Sequence, residues 1–167
     1  GEGWLAVQNN QGEEVFTRSG SLQVDVNGMM RLGSGEMVLG NGGPVALPPY
    51  EQLLIGADGT VSIQPVGGPP DQLVEIDRLK LVNPPSDALM KGEDGFIRRK
   101  PDQAIDGPEQ PDANMRVASG FLESSNVNAV EEMIANLELS RQFEMQVKVM
   151  QTADENSEVT ARLLQNL

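Results

Sequence analysis

NVNAVEEMIANLELSRQFEMQVKVMQTADENSEVTARLLQNL, residues 126–167, decides the architecture. It contains neither Gly nor Pro; the last of each are Gly120 and Pro111. Asn128 is placed to cap a first turn, and Glu131, three residues on, supplies the second half of a variant capping box. Glu131 and Glu132 put negative charge at the positive end of a helix dipole. The stretch predicts a helix over 128–166, roughly 58 Å long at 1.5 Å per residue. A compact domain made of the remaining ~125 residues has a diameter of about 35 Å, so the helix is expected to outrun it.

Its apolar residues follow three lines. Val130, Ile134 and Leu137 mark one, Leu139, Phe143, Val147 and Met150 a second, and Met145, Val149 and Ala153 a third. A helix that is apolar on several sides needs several neighbours. The sequence offers no second helix, so the neighbours are expected to be other chains; a helix folded back on its own β-rich part is the alternative. The expected assembly interface is Val130, Met133, Ile134, Leu137, Phe143, Val147, Met150 and Leu163. Met133, Met145 and Met150 suit an adaptable contact surface. Thr152–Ser157 is rich in mediocre helix formers, where a kink or break is expected.

Upstream, hydrophobic runs are short and turn signals are frequent. Trp4–Gln8, Val15–Arg18, Leu22–Val26 and Met29–Leu32 read as strands. Asn27-Gly28 predicts a type I′ hairpin turn. Met37–Leu39, Val45–Leu47, Leu53–Ile55 and Thr60–Ile63 follow, with Asp58-Gly59 as a turn. Leu73–Val82 is the longest strand candidate, but neither parity is cleanly apolar, which predicts a bulge or register change. Phe96–Arg98 reads as a short strand, Asp102–Asp112 as an exposed acidic loop, and Met115–Leu122 as a last extended segment. The fold class is mainly β: a body of short antiparallel strands and hairpins over 1–125, then one long C-terminal α-helix over 126–167.

The 167 residues carry 12 Lys plus Arg against 25 Asp plus Glu, a net charge of −13. No basic field exists to neutralise phosphates, which argues against nucleic acid and anionic membrane as partners. No run of ~18 apolar residues is present for membrane insertion, and the N-terminus does not read as a signal peptide. The chain has neither Cys nor His. That removes disulfides, thiolate chemistry, the commonest general base and the commonest transition-metal ligand. No cofactor, metal or small-molecule substrate is expected, and no enzymatic activity. Lack of Cys suits a protein exported unfolded into an oxidising space.

The chemical motifs are weak. Gly33-Ser34-Gly35 and Gly40-Asn41-Gly42-Gly43 precede strand-like residues and lack the GK[ST] of a phosphate loop, so turns are expected. The acidic run near Asp106 lacks the D-x-[DN]-x-[DN]-G order of a calcium loop. No two carboxylates are paired by sequence for acid/base work. A secreted β-module for a surface ligand is a competing reading, but Trp4, Tyr50 and four Phe are few for a binding groove.

GEGWLAVQ (1–8), FTRSGSLQVDVNG (16–28), VLGNGGPVALPP (38–49), ADGTVSIQ (57–64), LKLVNPP (79–85) and SGFLESSNVNAVEEMI (119–134) resemble successive motifs of the flagellar rod and hook proteins. Trp4 with GGPVALPP, and RQFEMQVKVM followed by ADEN, resemble members of the proximal rod more than those of the distal rod. The resemblance implies a structural, non-catalytic component of the bacterial basal-body rod. It implies export by the flagellar type III apparatus and assembly in the periplasm with copies of itself and neighbouring axial proteins. It also implies torque transmission and coiled-coil-like packing of terminal helices. Members of the family begin with a helix and an extended segment ahead of GEGW, so the chain is expected to be a fragment lacking that N-terminal helix.

Overall fold

Trp4–Gln8 (β1) carries four consecutive apolar residues, and three other strands hydrogen-bond to it. The computed structural model describes residues 2–69 and 72–165, with side chains described as far as residue 157. Glu14–Thr17 (β2) runs antiparallel along one edge of β1, with Val7 opposite Val15. Met37–Gly40 (β5) takes the other edge at Val7–Gln8, and Leu81–Val82 (β10) takes it at Trp4–Leu5. Lys80 bridges the join. Its backbone carbonyl accepts from Ala6 N–H and its own N–H donates to Leu39 O, both at 2.9 Å. Its buried ammonium lies 2.7 Å from Glu14 Oε1, which supplies the opposite charge that a buried lysine needs.

Leu22–Val24 (β3) and Met30–Leu32 (β4) extend the large sheet beyond β5, and Gly43–Pro44 (β6) pairs with β5. Leu89–Lys91 (β11) and Ile97–Arg99 (β12) extend it beyond β2. Tyr50–Ile55 (β7), Thr60–Pro65 (β8) and Val74–Arg78 (β9) form a second, three-stranded antiparallel sheet. Val7, Val15, Met30, Leu32 and Val38 from the first sheet share one apolar core with Val61 and Ile63 from the second.

The expected strand at 73–82 serves both sheets. Val61 pairs with Asp77 and Ser62 with Glu75, so Ile76 is the extra residue of a bulge. The chain then leaves the small sheet after Arg78 and enters the large one at Leu81. Two sheets claim opposite parities of one run, which is why neither parity was purely apolar.

Two local expectations are corrected, the turn at Asn27-Gly28 and the break in the helix. The turn at Asn27-Gly28 is not type I′, because Gly28 alone there has positive φ, at 80°. Gly28 N–H donates to Asp25 O and Asp25 N–H to Met29 O, which makes a type I turn over Asp25–Gly28 with Gly28 as the left-handed residue after it. Asp25 explains the choice: its Oδ1 accepts from the backbone of Asn27 and Met29. Met115–Leu122 joins no sheet; Val117 N–H donates to Ala57 O, and Met115 and Val117 pack on the core. The helix Ala129–Gln165 (α1) runs unbroken through Thr152–Ser157. There the Thr152 and Ser157 hydroxyls donate to the carbonyls of Lys148 and Ala153, four residues back, so these weak formers turn their polar groups onto the helix itself. Residue contacts divide the chain between Glu123 and Ser124.

Gly28→Val is expected to lower the melting temperature, at a cost on the order of 2 kcal/mol or more. A Cβ there meets the Leu47 carbonyl oxygen, and the φ of 80° strains any branched residue. Acid should also loosen this hairpin. Arg31 Nε donates to Asp25 Oδ2 at 2.8 Å, and that bond, with the two backbone donors, holds the carboxyl below its ordinary 3.8. The folded value lies below the unfolded one, so the contribution is present above about pH 4 and is lost as pH falls through the folded value. Asp25→Asn should therefore flatten the acid limb of a stability–pH curve measured by denaturant titration.

Candidate assembly surface

Asn128 starts α1 as the sequence predicts: its Oδ1 accepts from Val130 N–H at 3.0 Å, and Glu132 N–H donates to its carbonyl. From there the apolar side chains stand in solvent. Val130, Met133, Ile134, Leu137, Leu139, Phe143, Met145, Val149 and Met150 are between 51% and 68% exposed. Val147 is half-buried. Leu163 lies outside the described side chains.

With successive residues about 100° apart, these side chains do not form one face. Val130, Ile134 and Leu137 fall within about 60° of one another, bordered by Met133. Leu139, Phe143, Val147 and Met150 fall within about 80°, on a strip turned roughly 150° from the first. The changeover is at Glu138. Beyond it Arg141, Glu144 and Lys148 occupy the side on which the first strip ran. The expected interface residues thus separate into two sets: Val130, Met133, Ile134 and Leu137, and then Phe143, Val147 and Met150. Leu139, Met145 and Val149 are as exposed as these and were not among the expected contacts, although their spacing already placed them on apolar lines. Phe121, Leu122 and Val127, which sit in no regular element, are also exposed.

Clefts open on the described part of the body. One of about 510 Å³ is lined by Trp4, Leu22, Ile55, Met115 and Leu122, with the Arg18 guanidinium 4.6 Å from the Trp4 ring centre. Another, about 700 Å³, lies beneath residues 104–109, over Gln8, Phe16 and Leu39. Arg99 fixes the loop above it, with Nε 2.6 Å from Glu109 Oε2 and a second nitrogen 2.9 Å from Oε1. Donation to the Glu109 carboxylate raises the Arg99 pKa, and donation from Thr60 to Asp58 lowers that of Asp58. With Asp25, these groups are held in their charged forms, as turn caps and structural ion pairs are.

The glycine loops connect strands. Gly35 N–H closes the β4–β5 turn onto Leu32 O, and Gly40 pairs with Gly43 across the β5–β6 hairpin. Residues 102–112 are exposed except for Glu109 and Asp112, which are half-buried. Among the described residues no three Asp or Glu side chains converge as a metal cluster, and no helix is long and apolar enough to cross a membrane.

Two family models match the chain: the flagellar hook protein FlgE/F/G D1 domain over residues 1–63, and the flagellar basal body rod FlgEFG protein C-terminal region over residues 118–163. The flagellar basal-body rod protein FlgF of Escherichia coli K12 is 42% identical over 98% of this chain, and that of Salmonella typhimurium LT2 is 39% identical over 98%. The rod protein FlgG of Bacillus subtilis 168 is 31% identical over 93%. The chain spans 65% of the length of the two FlgF relatives and 60% of that FlgG.

Asn128→Ala removes the cap of α1 and should cost about 1 kcal/mol of helix stability. Far-ultraviolet circular dichroism is expected to show lost helical signal at moderate temperature, with the β signal retained.

Proposed function

Because the chain belongs to the flagellar hook and basal-body rod family, we propose that it is a structural component of the bacterial basal-body rod, in its proximal part. The FlgF relatives support proximal over distal placement: they match at 42% and 39% identity, against 31% for the FlgG relative. The setting is the periplasm, which the basal body spans, and the work is mechanical. Subunits hold one another and pass torque along the rod.

The observation that carries this reading is the exposed apolar surface of α1. Side chains of this type stabilise a protein when they leave water, and isolated helices draw most of their stability from packing such faces. Other rod subunits, copies of this chain and neighbouring axial proteins, supply the covering surface. Val130, Met133, Ile134, Leu137, Phe143, Val147, Met150 and Leu163 are the contacts. A distal position, as for the FlgG relative, is the second reading.

Phe143→Asp tests the proposal. Phe143 is exposed in the single chain, so the variant should keep the melting temperature of the β-body. In the rod, the carboxylate is buried between chains without a partner, at a cost of several kcal/mol. The variant is expected to be exported but absent from purified basal bodies. Normal incorporation, or an unfolded β-body, contradicts the reading.

A further inference from the structure

The chain holds two Asn-Gly pairs, Asn27-Gly28 and Asn41-Gly42, and both asparagines are exposed. In such a pair the backbone can attack the preceding side chain, because a glycine has no Cβ to shield its nitrogen. To do so, the glycine nitrogen must swing out of the turn and onto the asparagine Cγ. The hydrogen bonds around each glycine decide whether it can.

At the first pair they hold it. Gly28 N–H donates to Asp25 O at 2.9 Å, and Gly28 O accepts from Leu47 N–H at 2.8 Å, so the glycine is tied on both sides. Asp25 Oδ1 takes the flanking amides of Asn27 and Met29. At the second pair the nucleophile is loose. Asn41 and Gly42 form the exposed tip between Gly40 and Gly43, which pair across the β5–β6 hairpin. Asn41 N–H donates to Arg78 O at 3.0 Å, which anchors the residue under attack. Among the described residues no hydrogen bond engages Gly42 N–H or the Asn41 side-chain amide.

We propose that Asn41 is a site of self-modification in the folded chain and that Asn27 is protected from it. Gly42 N bonds to Asn41 Cγ, the bond from Cγ to the amide nitrogen breaks, and that nitrogen leaves as ammonia with the proton of Gly42 N–H. The product is a succinimide ring. Water opens it at either carbonyl carbon. One opening leaves an aspartyl link, the other an isoaspartyl link with one more carbon in the backbone. Both add a carboxylate where one already stands. The Asp77 carboxylate lies against Gly40, and its Oδ2 is 3.8 Å from where a Cβ on Gly42 would be. Like charges at this range repel. The tip also touches the run that joins the two sheets, through Asn41 to Arg78 and Gly40 to Leu79. The change therefore strains the hairpin at that join.

Peptide mass spectrometry of the intact folded chain, held in neutral buffer over a time course and then digested with trypsin, tests this. No Lys or Arg lies between Arg31 and Arg78, so the two pairs fall in separate peptides, 19–31 and 32–78, each with a single Asn. The 32–78 peptide should convert roughly tenfold faster, since attack on Asn27 must first break hydrogen bonds that Asn41 lacks. In denaturant the two should convert at similar rates. Gly42→Ala is sterically allowed, because Gly42 is outside the left-handed region and the new Cβ makes only an ordinary contact. It should bring conversion of 32–78 down to the level of 19–31, with the circular dichroism unchanged. Equal conversion of both peptides in the folded chain, no conversion at Asn41, or an undiminished rate in Gly42→Ala overturns the inference. None of these results bears on the assembly reading, which falls instead if Phe143→Asp enters the rod normally.

Discussion

Apolar side chains that a lone helix cannot shield from water set the terms for this molecule. Among the described residues nine such side chains on α1 stand more than half exposed. Burying a side chain of this size is worth about 1.5–3 kcal/mol, so covering the set releases on the order of 10 kcal/mol. That reserve is unused in the single chain and available to an assembly. Its distribution matters as much as its size. The apolar residues lie in two strips on different sides, changing over at Glu138.

The body solves the opposite problem within its own residues. β1 receives strands on both edges, and the run from Val74 to Val82 stitches the two sheets together by leaving one and entering the other. Lys80 marks the crossing, with its backbone tying β1 to β5 and its ammonium set on Glu14. Arg99 and Glu109 pin the acidic loop in the same manner. These ion pairs fix geometry at the places where hydrogen-bonded sheet is interrupted.

Much of this was legible from the residues alone. Asn128 as cap, the helix that follows it, and the short strands bounded by Gly, Pro and Asn signals were readable because each is a local rule. The misreadings came where a residue outside the motif itself decided. Asp25 captures the amides of Asn27 and Met29 and so selects a type I turn, although Asn27-Gly28 in isolation favours type I′. The strand Leu89–Lys91 has no strong pattern of its own and exists because Ile97–Arg99 pairs with it. The mixed parity at 73–82 was visible, but the change of sheet behind it was not. For the candidate interface, the apolar lines on α1 were readable, whereas their separation at Glu138 appears only when the residues are placed around the helix.

The lack of cysteine allows a direct measurement, because any introduced thiol is unique in the chain. Single cysteines at Val147 and at Lys148 place a probe on the second apolar strip and on the charged side. Each variant is incorporated into basal bodies and treated with a short bis-maleimide. The account predicts that the Val147→Cys chain crosslinks to neighbouring subunits while the Lys148→Cys chain stays largely monomeric on a denaturing gel. Equal crosslinking from both positions, or none from Val147→Cys, contradicts the claim that the apolar strips of α1 are where rod subunits meet.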